Sequence, residues 1–213
     1  MKNRRSIILS LLFFVILALT GLWIVQIVSG YVPYVDRWTR ELVEVLNNSI
    51  VYDFLHFVTK FGSGSFLIPF VIIMAIVIWF LLKNSLAAFV FAGGTLATHV
   101  FNILIKNMVD RKRPSISIAA DAEGYSFPSG HAMISLVCYG MLAYFLGKGM
   151  KSTKTLLFMQ IIIALLIFLI GISRYVINVH YLTDVVAGFG FGFICLVGFI
   201  YLYEYLRKLA KLS

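Results

Sequence analysis

Charge is scarce in this chain: only 13% of its 213 residues are Asp, Glu, Lys or Arg, against roughly a quarter in an ordinary soluble domain. With 61% of the residues hydrophobic, too little polar surface remains to cover a water-soluble globule. Proline is also sparse, at four residues, and no Pro-rich linker, internal repeat or low-complexity tract divides the chain, so 1–213 reads as a single domain. The two cysteines, Cys138 and Cys195, lie inside apolar stretches and read as small packing residues, not as a disulfide or a metal site. No cluster of Cys, His and carboxylate has metal-ligand spacing, so neither a metal nor another cofactor is expected.

Long apolar runs are what the chain has instead. A membrane-spanning helix needs about 20 mostly apolar residues, and stretches near 7–29, 66–83, 86–105, 132–147, 155–172 and 185–203 supply six. The expected fold is all-α, a polytopic membrane protein with six transmembrane helices. The first stretch follows Lys2, Arg4 and Arg5 and has the outline of a signal peptide. From Ile7 to Val28 it is too long for a signal core and no small-x-small cleavage pair follows, so it is expected to stay as the first span.

The net charge of +9 suggests nucleic acid only until it is sorted by loop. With the amino terminus inside, one face receives Lys2, Arg4, Arg5, Lys83, Lys148, Lys151, Lys154, Arg207, Lys208 and Lys211 against Glu204 alone. The other eight basic residues face the other eight acids and balance them. The whole excess therefore follows the positive-inside rule, which puts both termini in the cytoplasm and the loops after spans one, three and five outside. Membrane lipids, and no nucleic acid, are the expected surroundings.

Between spans one and two, Asp36 to Ser49 places Trp38, Leu42, Val45, Leu46 and Ser49 on one helical face, with Asp36 as N-cap. This predicts an amphipathic helix at the outer interface, either packing on the bundle as a lid or gating substrate. Gly62-Ser63-Gly64-Ser65 then breaks the helix before span two. Asn47-Asn48-Ser49 forms an N-glycosylation sequon, irrelevant in a bacterial source.

Charged groups at span ends usually serve a purpose, and three such segments share the predicted outer side. The first is Lys106 to Pro114, where Lys106 and Arg113 stand seven residues apart, on one face if helical, so that both cations reach one anion; Pro114 disfavours helical geometry at Arg113. A snorkelling, headgroup-facing basic cluster fits equally. His99, Asn102 and Lys106 follow helical spacing, and His99 by itself reads as a packed, hydrogen-bonded histidine.

The second is Phe127-Pro128-Ser129-Gly130-His131. Ser129 is placed to cap a helix whose free N–H groups and positive dipole end suit phosphate oxygens, Gly130 allows close backbone approach, and His131 can give a proton to a departing alkoxide. An ordinary capped helix start fits the tetrapeptide too. The third is Ser173 to Asp184, where a turn running from His180 into span six puts Asp184 in reach of the imidazole, a base and its orienter. Arg174 adds a fork for two phosphate oxygens. A purely structural His–Asp pair is the alternative. Together the segments suit phosphoryl transfer, in which fixed cations and N–H groups stabilise spread negative charge.

Lys, six residues, Arg-Pro; then Pro-Ser-Gly-His; then Ser-Arg, five residues, His, three residues, Asp: in that order and spacing the chain resembles the type-2 phosphatidic acid phosphatase superfamily. The motifs cover residues 106–184, and the six-span layout extends the likeness across most of the chain. The resemblance implies a metal-independent lipid phosphatase in which His180 attacks phosphorus to give a phosphohistidine, Asp184 orients it, and His131 protonates the leaving group. Lys106, Arg113, Ser129, Gly130 and Arg174 would hold the phosphate oxygens. The chain's size is similar to that of small bacterial members acting on phosphatidylglycerol phosphate or undecaprenyl pyrophosphate, so the implied partner is a lipid phosphate or pyrophosphate. Asn178 and Leu182 stand where many relatives have Gly and Pro, changes expected to touch the bend into span six and not the chemistry. Two other functions stay open: a lipid phosphotransferase, and a non-catalytic lipid-binding or translocating protein. The sequence assigns no oligomeric state.

Overall fold

Apolar runs that cannot solvate their own backbone in lipid must satisfy it internally, and the helix is the form that does so within one segment. The computed structural model describes residues 2–46, 49–114 and 124–210, with only the backbone for 2–13 and 16. Asn47 of the sequon lies outside them. Among the described residues all regular structure is helical. It comprises α1 (Lys2–Val28), three short helices α2 (Tyr34–Trp38), α3 (Arg40–Leu46) and α4 (Ile50–Val58), a 3-10 turn (Thr59–Gly62), and then α5 (Gly64–Leu82), α6 (Ser85–Val109), α7 (Gly130–Gly149), α8 (Thr153–Val176) and α9 (Leu182–Leu209).

Five of these, α5 to α9, are long and apolar enough to cross a membrane. The stretch expected as the first span is helical as α1, of which Leu17–Val28 forms a shorter apolar helix among the described side chains. Half of the most apolar window of α7 is buried, against 11% of that of α5, which makes α7 the hub. Its Val137, Cys138, Met141 and Phe145 are fully or almost fully buried and pack with Phe91 of α6, Ile170 of α8 and Tyr203 of α9. Both cysteines are free thiols.

Lipid tails are as apolar as leucine, so helices in a bilayer associate through close contact. The α7–α9 pair shows how. A Cβ on Gly188 would lie 2.7 Å from the Ser129 carbonyl oxygen, and one on Gly192 would lie 2.9 Å from that of Met133. The Gly-x-x-x-Gly spacing of α9 thus brings two backbones together beside the sequence-predicted site.

The expected amphipathic helix over Asp36–Ser49 is not one helix. Thr39 separates α2 from α3, and Ser49 caps the next helix, α4, accepting from the Tyr52 N–H at 3.2 Å. Trp38, Leu42 and Val45 share an exposed apolar side, whereas Val43 is the buried residue of α3. Asp36 is not an N-cap either: that position is Pro33, and Asp36 is buried inside α2. Its carboxylate is drawn to a stronger partner than a helix N-terminus, a buried guanidinium described below.

Candidate active site

The first turn of α9 sets the centre of the site. Asp184 occupies its third position, and Oδ2 accepts the Tyr181 N–H at 2.9 Å, which pins the carboxylate at the helix N-terminus. That same oxygen lies 3.4 Å from His180 Nδ1. His180 is held from behind, since its N–H donates to the Arg174 carbonyl at 3.1 Å. The chain makes this turn through Asn178, in the left-handed region at φ 60°; asparagine is among the few non-glycine residues that adopt it at low cost. Leu182 is the first helical residue of α9, where proline is favoured but not required. The two departures from the family pattern are thus positions of backbone shape, each with a residue that tolerates the shape.

Asp184 has a second strong partner that the sequence reading missed. Oδ1 accepts from Arg111 at 2.5 Å, and the other end of the guanidinium donates to Asp36 of α2 at 2.7 Å. Asp36 in turn accepts from the N–H and hydroxyl of Thr183 at 3.0 and 2.6 Å, and the Arg111 guanidinium stacks 3.8 Å above the Tyr181 ring. The carboxylates are fully buried and Arg111 is 6% exposed at its side chain. Such a charge is tolerable only because it is paired on both sides. Nothing but its place in the run Arg111-Lys112-Arg113 marks it in a single sequence.

Lys106 and Arg113 converge, but not along a shared helical face. α6 stops at Val109, Asp110 turns left-handed at φ 51°, and residues 111–113 are not helical. The two cations meet at one acceptor: Lys106 Nζ donates to the Tyr125 carbonyl at 2.7 Å, and Arg113 donates to the same oxygen at 3.3 Å. Arg113 also donates to the Val179 carbonyl at 2.9 Å and lies 3.1 Å from His180 Nε2. A guanidinium only donates, so Nε2 is the bare nitrogen and Nδ1 carries the proton facing Asp184. The Arg113 and Asp184 contacts thus agree on one tautomer, with the Nε2 lone pair turned toward the cations.

Burial, then the charges of Arg113, Arg174 and Lys106, hold the His180 imidazole well below its ordinary value of 6.5. The ring stays neutral on the acid side of neutrality, and a neutral ring is the one able to attack. With His180 as the attacking group, the acid limb of kcat/KM is expected below pH 6.5, because protonation of the ring takes away its lone pair. Replacing Arg113 with Gln removes one repelling charge and should move that limb upward; a pH profile of purified enzyme and variant checks it.

Arg174, at the end of α8 and 2% exposed, donates to Thr59 Oγ1 at 3.0 Å. Ser129 caps α7, its hydroxyl accepting from Ala132 at 3.5 Å, while its own N–H donates to the Asp184 carbonyl at 2.9 Å and ties the starts of α7 and α9 together. The N–H groups of Gly130 and His131, first in α7, have no carbonyl one turn back. Asn102, buried in α6, braces this start through the Pro128 carbonyl at 3.3 Å. His131 is half-buried, within electrostatic reach of Arg174, His180, Lys106 and Arg113. His99 does not belong to the cluster: it is exposed on α6, not packed, while Asn102 and Lys106 turn inward. An apolar cavity of about 580 Å3 between α1, α7, α8 and α9 is lined by none of these residues.

A bare imidazole nitrogen oriented by a carboxylate, three cations and a helix start make a site for a tetrahedral oxyanion and a nucleophile to attack it. Known proteins carry the same arrangement of chain. Residues 86–208 match the PAP2 superfamily. The chain is 30% identical over 185 residues to phosphatidylglycerophosphatase B of Bacillus subtilis (strain 168), spanning 85% of this chain and 86% of that one. It is 31% identical over 163 residues to a dolichyldiphosphatase of Saccharomyces cerevisiae, spanning 71% and 64%. In fold it superposes on the crystal structure of a transmembrane PAP2 type phosphatidylglycerolphosphate phosphatase from Bacillus subtilis with a TM-score of 0.75 at 23% identity, covering 90% of this chain and 95% of that one. It superposes on Aquifex aeolicus LpxE with 0.56 at 26%, covering 75% and 93%. With more than half of its length matched and a relative alike almost end to end, the chain belongs to the PAP2 superfamily.

Proposed function

We propose that this phosphatase hydrolyses a lipid phosphate or pyrophosphate on the outer face of the membrane through a covalent phosphohistidine at His180. The observation that carries the reading is the single tautomer imposed on His180, with Nε2 bare beside Arg113 and Nδ1 facing Asp184. In the first step Nε2 attacks phosphorus, the bond to the leaving oxygen breaks with its electron pair, and His131, which takes up a proton as the negative charge of the arriving phosphate offsets the cations around it, supplies the proton that oxygen needs. In the second, water attacks the phosphohistidine, His131 takes the proton, and Nε2 departs with inorganic phosphate released. Lys106, Arg113, Arg174, the Ser129 cap and the Gly130 N–H hold the equatorial oxygens, and Arg113 changes partner from Nε2 to phosphate as the substrate arrives.

The acidic-to-basic sorting of the loops supports an outer site with both termini in the cytoplasm and α1 as a sixth span. The names of the relatives support two substrate classes, a phospholipid monoester and a polyprenyl diphosphate. Phosphatidylglycerol phosphate and undecaprenyl pyrophosphate are our candidates.

Phosphate release by detergent-purified enzyme in EDTA, with phosphatidylglycerol phosphate, undecaprenyl pyrophosphate and phosphatidic acid, tests this. Release from at least one lipid in EDTA is the expected result. No release from any of them overturns the hydrolase reading, and label recovered on an added lipid alcohol in place of free phosphate recasts the enzyme as a transferase.

A further inference from the structure

The segment from α2 to the 3-10 turn precedes the stretch that matches the superfamily, yet it touches the catalytic cluster at three separate points. Asp36 binds Arg111, which binds Asp184. Thr59 accepts from Arg174. Gly62 leaves the space in which His131 sits: a Cβ there would lie 2.8 Å from His131 Cδ2, 2.4 Å from Ile170 Cγ2 and 3.1 Å from Ser135 Oγ. The same segment is anchored on the bundle by Tyr175, whose hydroxyl donates to the Thr39 carbonyl, and by Arg40, which reaches the Pro114 carbonyl at 3.4 Å.

We infer that this connector is a positioning part of the active site, with Asp36 setting the Asp184 carboxylate, Thr59 setting the Arg174 fork and Gly62 seating His131. The inference rests on the phosphohistidine reading above and assigns to it three residues outside the motifs. The physical reasons differ from point to point. Arg111 divides its attraction between two carboxylates; without the charge of Asp36 it bears on Asp184 alone and weakens the hold of that carboxylate on the imidazolium side of the reaction. A guanidinium steadied by a buried hydroxyl meets a phosphate without first ordering itself, the gain of preorganisation. A histidine packed against a glycine has one ring position, and a methyl in that place forces another.

Each contact has a readout that loss of folded protein does not move. Asp36→Asn should shift the acid limb of kcat/KM to lower pH, since Arg111 then turns its whole charge on Asp184 and less of that carboxylate's charge bears on His180, and lower kcat on the order of tenfold, with Asp36→Glu closer to the parent. Thr59→Val should weaken binding of inorganic vanadate severalfold while Thr59→Ser retains it. Gly62→Ala should lower the ratio of phosphatidylglycerol phosphate hydrolysis to p-nitrophenyl phosphate hydrolysis by about tenfold or more, because only the lipid alcohol needs a well-placed acid to leave. Val45→Ala, exposed on the same segment and touching none of the three, should match the parent in all of these. If Asp36→Asn and Gly62→Ala keep the parental pH limb and substrate ratio while His180→Ala is inactive, the connector is scaffold only and the inference falls. If His180→Ala is active, the nucleophile assignment fails first, and the positioning role built on it falls with it.

Discussion

Replacement of His180 with alanine is expected to lower phosphate release by about five to six orders of magnitude, the scale on which removal of a covalent nucleophile acts. That is a loss of roughly 7–8 kcal/mol of transition-state stabilisation. The size follows from what surrounds the ring. Burial and three cations keep it neutral, and with Asp184 facing Nδ1 and Arg113 facing Nε2 its lone pair is turned toward the cations. Water in the vacated volume would have to displace the lipid alcohol in one step, without the covalent intermediate that divides the barrier. The check is rapid quenching of enzyme turning over a 32P-labelled lipid phosphate: the parent should carry acid-labile, base-stable label on His180 and the variant none. Retention of more than about one hundredth of the activity would show that another group attacks phosphorus, and retained vanadate affinity would show that the variant still folds around its anion site.

The second large effect belongs to His131. Its replacement with alanine should slow phosphohistidine formation by about 10²- to 10⁴-fold when the leaving group is a lipid alcohol. A p-nitrophenolate leaves without a proton and should be affected far less. A diphosphate substrate lies between, because its leaving group is itself a phosphate ester that carries charge well. One variant assayed on three substrates therefore reads both the role of His131 and the substrate class for which the site is built. Equal losses on all three would remove His131 as the acid and leave it a packing residue against Gly62.

The candidate histidines and aspartate, with the Ser129 cap, were legible in the sequence as a group because their spacing is local. Asp184 reaches His180 over one turn, and Ser129 caps the helix that it begins. Lys106 and Arg113 were named for the wrong reason: a left-handed Asp110, which nothing in the sequence announces, ends α6 and lets the two cations meet across a loop instead of along a face. Arg111 and Asp36 were missed because their partners are 73 and 147 residues away, and pairing at that range leaves no periodicity to read. The broken amphipathic segment has a related cause. Tertiary demand on Asp36 and on the Thr39 carbonyl outweighs the helical continuity that the apolar spacing suggested. His99 illustrates the reverse error: helical spacing with Asn102 did not make it a neighbour of the site, and it stands exposed on α6 while Asn102 is buried.

The Gly188 and Gly192 contacts bear on how the protein meets membranes of different thickness. A helix pair joined backbone to backbone, with the Ser129 N–H fixed to the Asp184 carbonyl at its end, tilts as one body when the bilayer thins or thickens. His131 in the first turn of α7 and Asp184 in the first turn of α9 ride on that body together, so their separation does not follow the lipid. Hydrophobic mismatch falls instead on α5, the most apolar window of which is only 11% buried and which bears none of the candidate catalytic side chains.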